Sequence, residues 1–253
     1  MQPAPVVYRP IRMASTASSV PHPAPEAEEV YRRWIQFLDE EFTRHHSPEL
    51  RAGIVRDQLY QLYLGHPHGG KLNLTLTSEL PGNILSLSLD PENATLEAES
   101  FADADRERYS QRKPLLWFWR MFDRSPVGLN HWLGIRFRSM LGRHIFAHMG
   151  TGVRIYGGVD LTYGYNLHLG DGVTIGERAQ LNDRGGIRIG KGVVIGSFAR
   201  VYSHMHNSEN YDQVTLVPTV IGPGARIGSH AIVLAGQTVA PGETVGSFPT
   251  DRI

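Results

Sequence analysis

The stretch Leu169-Gly170-Asp171-Gly172-Val173-Thr174-Ile175-Gly176-Glu177-Arg178-Ala179-Gln180-Leu181 sets an aliphatic residue at every sixth position. The beat continues at Ile189, Ile195 and Val201, then at Ile221, Ile227, Val233, Val239 and Val245. Glycine follows the aliphatic directly at Gly170, Gly176, Gly190, Gly196, Gly222, Gly228 and Gly246. Four residues after the aliphatic stands a small residue: Val173, Ala179, Val193, Ala199, Ala225 or Ala231. A strand alternates with period two and a helix with 3.6, so neither yields this pattern. A unit this short is one strand and one corner, able to bury its aliphatic only by stacking on the next coil. The pattern predicts a parallel β-helix in which the aliphatic and the small residue point inward. The glycine is expected to supply backbone freedom at the corner.

The beat fails twice. Eight residues separate Leu181 from Ile189, across Asn182-Asp183-Arg184-Gly185-Gly186, and a long insertion follows Val201. That insertion, the loop 202–219, opens with Tyr202-Ser203-His204-Met205-His206. A departure from a solenoid period becomes a loop on one face, where function collects. Imidazole exchanges a proton near neutral pH, so His204 and His206 are candidate acid–base residues.

The 253 residues hold 25 Lys+Arg, 25 Asp+Glu and no cysteine. The balance gives no global field for nucleic acid. The missing thiols exclude disulfides, thiolate metal sites and an acyl-cysteine intermediate. No run of apolar residues reaches the ~18 of a membrane span, and the expected location is cytoplasmic. Residues 1–27, rich in Pro, Ala and Ser, read as a disordered tail. Residues 28–125 read as a small α+β module of unassigned role. Within it, Tyr31, Trp34, Ile35, Leu38 and Phe42 make a helical stripe, and Ser47-Pro48 caps a second helix ending near Gly65. Strands are expected at Leu72–Leu76 and Ile84–Leu89. The aromatic run 114–122 is expected to pack the module onto the shaft or a neighbouring subunit. Residues 126–150 form a helical connector, and 151–253 the β-helix.

From about Leu133 onward the chain resembles the hexapeptide-repeat acyltransferases, in the maltose and galactoside O-acetyltransferase branch. The resemblance rests on Tyr163-Gly164-Tyr165-Asn166-Leu167-His168-Leu169-Gly170, on Ile221 to Ser229 and on the closing run Pro241 to Ile253. It implies a left-handed β-helix, a homotrimer with active sites between shafts, and acetyl-CoA as acyl donor without a metal. Ungapped, the family's catalytic histidine falls on His206. Asp183, Asn182 and His204 fall where the acceptor binds; Gly196, Ser229, Arg226, Ala235 and Arg252 fall where the coenzyme lies. The Ser229 hydroxyl or a nearby main-chain N–H would meet the oxyanion. Three departures stand out. Arg226 replaces an aromatic residue, usually Trp, Gly176 replaces an asparagine that contacts sugar acceptors, and a C-terminal lysine is deleted, leaving Arg252 as its substitute. Other readings are a non-catalytic trimeric scaffold and a zinc enzyme of the γ-carbonic anhydrase type using His204, His206 and His230. The acceptor itself, whether sugar, glycan or small metabolite, has no signature in the chain.

Overall fold

The computed structural model describes residues 21–69 and 80–246. Helices α1 (Pro25–Arg44), α2 (Pro48–Leu64), α3 (Leu80–Ser88), α4 (Arg106–Arg124) and α5 (His131–Ile145) precede a shaft of short strands. Ser47 caps α2 by accepting a hydrogen bond from Leu50 N, and Gly65 ends it at φ 73°. The shaft is a left-handed parallel β-helix with three faces. Face A stacks β1 (His148–Met149), β4 (Leu167–Leu169), β7 (Ile187–Ile189), β12 (Thr219–Ile221) and β15 (Thr238–Val239). Face B stacks β2 (Arg154–Ile155), β5 (Thr174–Ile175), β8 (Val194–Ile195), β13 (Arg226–Ile227) and β16 (Thr244–Val245). Face C stacks β3 (Asp160–Leu161), β6 (Gln180–Asn182), β9 (Arg200–Tyr202) and β14 (Ile232–Val233). Every pairing within these faces is parallel.

The inward residues are those the period marks. Ile175, Leu181, Val173, Val193, Ala179, Ala199 and Ala225 are wholly buried. The role expected of the corner glycines needs correction. Gly170, Gly176, Gly190 and Gly222 are not among the residues with positive φ; that conformation falls two positions later on the first corner, at Gly172, Gly192 and Gly224. What excludes a side chain at Gly170, Gly176, Gly190 and Gly222 is the next coil. A Cβ there would stand 2.5–2.7 Å from the main-chain nitrogen of Lys191, Ser197, Pro223 or Pro241. At the second corner glycine holds the left-handed position only in the first tier, at Gly158; in the next three tiers Arg178, Phe198 and His230 take φ of 54–61°.

Register reveals a second departure from a strict six. Arg154 pairs with Thr174, and Thr174 with Val194, so the first coils advance by twenty residues. The extra pair lies at the C-to-A corner, in Tyr163–Asn166 and again in Asp183–Gly186. Two enlarged corners therefore sit one on the other, and the sequence reading had marked only the second.

Among the described residues the N-terminal region is helical, not α+β. Ile84–Leu89, expected as a strand, falls largely in α3, and Leu72–Leu76 lies outside the described residues. Ile84, Leu85 and Leu87 are exposed while Leu89 is buried, and no described strand lies alongside to satisfy an extended main chain; a helix satisfies it locally. Helix α1 opens at Pro25, inside the segment expected to be tail. The aromatic run packs inward: Phe122 stacks on Phe137 at 3.8 Å, and Trp34 on Phe137 at 5.5 Å. Trp119 Nε1 donates to Val159 O of the shaft at 2.9 Å. Buried Arg138 of α5 pairs with Asp123 of α4, whose other oxygen accepts from Gly158 N at 2.8 Å. Helices and shaft share one apolar core.

The coil spacing makes a sharp expectation. Gly190→Ala pushes a Cβ to 2.6 Å from Pro223 N, and should cost about 1–3 kcal/mol as overpacking against backbone. Gly53→Ala, on α2, meets nothing closer than an arginine tip at 3.9 Å, and should gain roughly 0.5–1 kcal/mol from the unfolded state. Urea midpoints moving the same way for both variants would contradict this account.

Candidate functional site at the hairpin corner

The corner between faces C and A carries the irregular chemistry of the shaft. In its second tier Asp183 is fully buried, with Oδ1 accepting from Tyr163 N at 2.8 Å and Oδ2 from Asn166 N at 3.1 Å. Burial pushes its carboxyl above the ordinary range, against the opposing pull of those main-chain donors. In the third tier the chain leaves the shaft as an antiparallel hairpin, β10 (His204–His206) and β11 (Val214–Leu216). Two buried hydroxyls close its neck. Ser203 Oγ donates to Asn182 O at 2.7 Å and accepts from Gly185 N at 3.0 Å. Thr219 Oγ1 donates to Tyr202 O at 2.6 Å and accepts from Gly236 N at 3.1 Å. The hairpin is thus rooted in the coils before and after it.

His204 and His206, two apart on one strand, project from the same side of the hairpin. Their rings meet edge to face at 5.1 Å. His206 Nδ1 lies 2.8 Å from Tyr211 O, and its ring stacks on that of Tyr211 at 4.0 Å. A carbonyl only accepts, so Nδ1 carries a proton, and in the neutral ring Nε2 keeps its lone pair. That is the tautomer a general base requires. Burial, then Arg184 and His206, hold the inner His204 below the usual imidazole range. His204 Nδ1 and Asn182 Oδ1 are both buried without a hydrogen-bond partner among the described residues.

The tertiary arrangement divides the residues singled out in the sequence. Asn182, Asp183, His204, His206 and Ala235 belong to the hairpin corner. Asp183, expected to hold an acceptor, is instead spent on the main chain of the tier beside it and presents no surface. Gly196 and Ser229 stack at the corner between faces B and C, where a Cβ on Gly196 would meet Ser229 N at 2.5 Å. Arg226 is exposed on face B, paired through its strand with Val194 and Thr244. Arg252 lies outside the described residues. His204, His206 and His230 do not converge, since His230 stands at the B-to-C corner stacked on Phe198 at 4.9 Å.

Sequence reasoning passed over Tyr211 and the Asp103–Arg184 pair. Asp103 accepts from Tyr163 Oη at 2.8 Å and pairs with Arg184. Burial raises the Asp103 carboxyl, yet the hydrogen bonds of Arg184 and Tyr163 outweigh it and hold the group below its ordinary value. No spacing rule links residues so far apart. Tyr211 did carry a signal, as an aromatic residue in the otherwise polar turn 207–213.

Among the described residues no group of three or more His, Asp or Glu side chains could hold a metal ion, and no helix is long and apolar enough to cross a membrane. No family model and no curated protein matches the sequence. Solved structures do resemble it. A hexapeptide-repeat-containing acetyltransferase from Vibrio cholerae is 23% identical over 62% of this chain and 90% of its own, with a TM-score of 0.44. A maltose O-acetyltransferase from Clostridium difficile is 20% identical over 61% of this chain and 89% of its own, with a TM-score of 0.45. A galactoside acetyltransferase in complex with coenzyme A is 20% identical over 54% of this chain and 70% of its own, with a TM-score of 0.43.

Proposed function

We propose that the protein is an acyl-CoA-dependent O-acyltransferase, transferring acetyl from acetyl-CoA to a hydroxyl with His206 as general base. The observation that carries this reading is the Nδ1–Tyr211 hydrogen bond. It leaves Nε2 of a histidine free on a hairpin whose neck is pinned by Ser203 and Thr219. The hexapeptide resemblance of the sequence points to the same residue. The acceptor O–H gives its proton to Nε2 as its oxygen attacks the thioester carbonyl carbon. The new C–O bond leaves an oxyanion, whose collapse breaks the C–S bond. The departing thiolate takes the proton back from the imidazolium, giving an ester and coenzyme A thiol. No covalent enzyme intermediate is involved, in keeping with a chain that has no cysteine.

Asn182 and His204, both partly exposed beside His206, are suited to border the acceptor. Asp183 acts as a positioning residue through the main chain of the Tyr163–Asn166 turn. The expected oxyanion donor Ser229 and the coenzyme residues Gly196 and Arg226 belong to another corner and another face. The site is complete only if those features come from a second copy, which is the argument for a homotrimer with clefts between shafts.

Two measurements test this reading. His206→Ala should lower kcat for acetyl transfer by roughly 10²–10⁴-fold, the scale of general-base catalysis, while calorimetry shows acetyl-CoA binding little changed. His204→Ala should cost less. A larger loss at His204 would move the base two residues upstream, and wild-type protein that binds no acetyl-CoA would end the proposal. Light scattering should return three times the 28.2 kDa chain mass. A stable monomer at micromolar concentration would remove the cleft between subunits.

A further inference from the structure

Beside the hairpin lies a cavity of about 510 Å³ whose described lining contains no carboxylate. Its walls include Arg108 of α4, His168 and Arg188 of face A, and Leu216 and Pro218 of the returning hairpin strand. Arg188 and His168 are register partners on adjacent strands, so their side chains leave the same face side by side. Arg188 is exposed and makes no hydrogen bond or ion pair among the described residues. The Arg108 guanidinium bonds only neutral acceptors, Tyr165 O and Asn166 Oδ1, and lies over the Tyr165 ring at 4.4 Å. The carboxylates around this corner are engaged elsewhere: Asp103 with Arg184 and Tyr163, Asp105 as the cap of α4 accepting from Arg108 N, and Asp183 with main-chain N–H groups. Two guanidinium groups therefore face one half-open cleft, neither of them in an ion pair among the described residues. His168 responds to them, held below the usual imidazole range by its burial and then by Arg188, with His148 and Arg108 adding to the effect.

From this juxtaposition we infer that the cavity is an anion subsite for a phosphate or carboxylate carried by the acceptor, gripped between Arg108 and Arg188. This rests on the acyl-transfer reading. Planar guanidinium donors suit an oxyanion group. The link to the acceptor is Leu216, which lines the cavity and is the cross-strand partner of His204. A ligand anchored there lies against the hairpin that carries Nε2 of His206. The inference also assigns a task to the helical region, because Arg108 belongs to α4 and the shaft alone would form half the subsite. Arg226, which the family resemblance aligns with the coenzyme, lies on face B and does not line this cleft.

The test uses the whole protein and inorganic pyrophosphate as the probe, with acetyl-CoA titrated separately by calorimetry. Wild-type protein should bind pyrophosphate, and Arg108→Gln and Arg188→Gln should each weaken it by about tenfold or more. Arg188→Lys should keep part of the affinity, and Arg226→Gln should leave it unchanged. Acetyl-CoA affinity should be the same in the Arg108 and Arg188 variants. Pyrophosphate binding that ignores Arg108 and Arg188, or that is lost in Arg226→Gln, overturns the subsite. A parallel fall in acetyl-CoA affinity overturns its assignment to the acceptor, since the arginines would then hold the coenzyme's phosphates. Pyrophosphate binding that depends on both arginines in a protein binding no acetyl-CoA supports the anion site while removing the acyl-transfer reading.

Discussion

Successive coils of the shaft approach so closely that main chain meets main chain where a side chain would otherwise stand. The space over Gly176 or Gly190 is filled by the nitrogen of the next coil, and main-chain hydrogen bonds such as Gly176 N to Ile195 O at 2.8 Å cross the gap. Such stacking tolerates no extra residue inside it. An addition must leave outward at a corner, as the enlarged turns and the hairpin do. The corners between faces B and C keep their length by accepting backbone strain. Arg178, Phe198 and His230 occupy the left-handed region, at a cost of order 1 kcal/mol or more each for a residue bearing a Cβ.

An enlarged corner opens space in the shaft that apolar side chains do not fill. Three buried polar residues fill it instead, Asp183, Ser203 and Thr219. Burying a carboxylate costs several kcal/mol unless donors surround it. Here the donors are N–H groups of the preceding tier, so the penalty is offset by fixing that tier's shape. Rigidity passes from Asp183 to the Tyr163–Asn166 turn, and from Ser203 and Thr219 to the hairpin. The histidine that would accept a proton is held by a main-chain carbonyl of the same hairpin. Its orientation therefore depends on the turn around Asn207 and Asn210 as much as on the shaft.

The helical region is fastened at the same corner. Asp103 joins Tyr163 and Arg184, Asp105 N donates to Tyr165 Oη at 3.0 Å, and Arg108 bonds the Tyr165 carbonyl. Further along, Arg138 and Asp123 bind α4, α5 and the shaft together in a buried pair. Removing one partner of such a pair strands the other charge, which is why these contacts are costly to break singly. The docking brings a cationic residue of α4 to the mouth of the hairpin, where neither unit alone would place it.

The six-residue period was enough to establish the shaft, its inward residues and the site of the insertion, because each coil repeats one local geometry. Helices with strong stripes or caps, such as Tyr31 to Phe42 and the Ser47–Gly65 segment, were equally legible, since their signals lie within a few residues. Ile84 to Leu89 misled because its alternation has no partner strand among the described residues, and partners are a tertiary fact. His206 could be named from its place in the loop and the family resemblance. Its tautomer could not, for that depends on where the Tyr211 carbonyl comes to rest. Asp183 looked like a ligand residue until the fold surrounded it with main-chain donors. The cavity between Arg108 and Arg188 joins residues eighty positions apart; only the docking of α4 against the enlarged corner brings two such charges into one space.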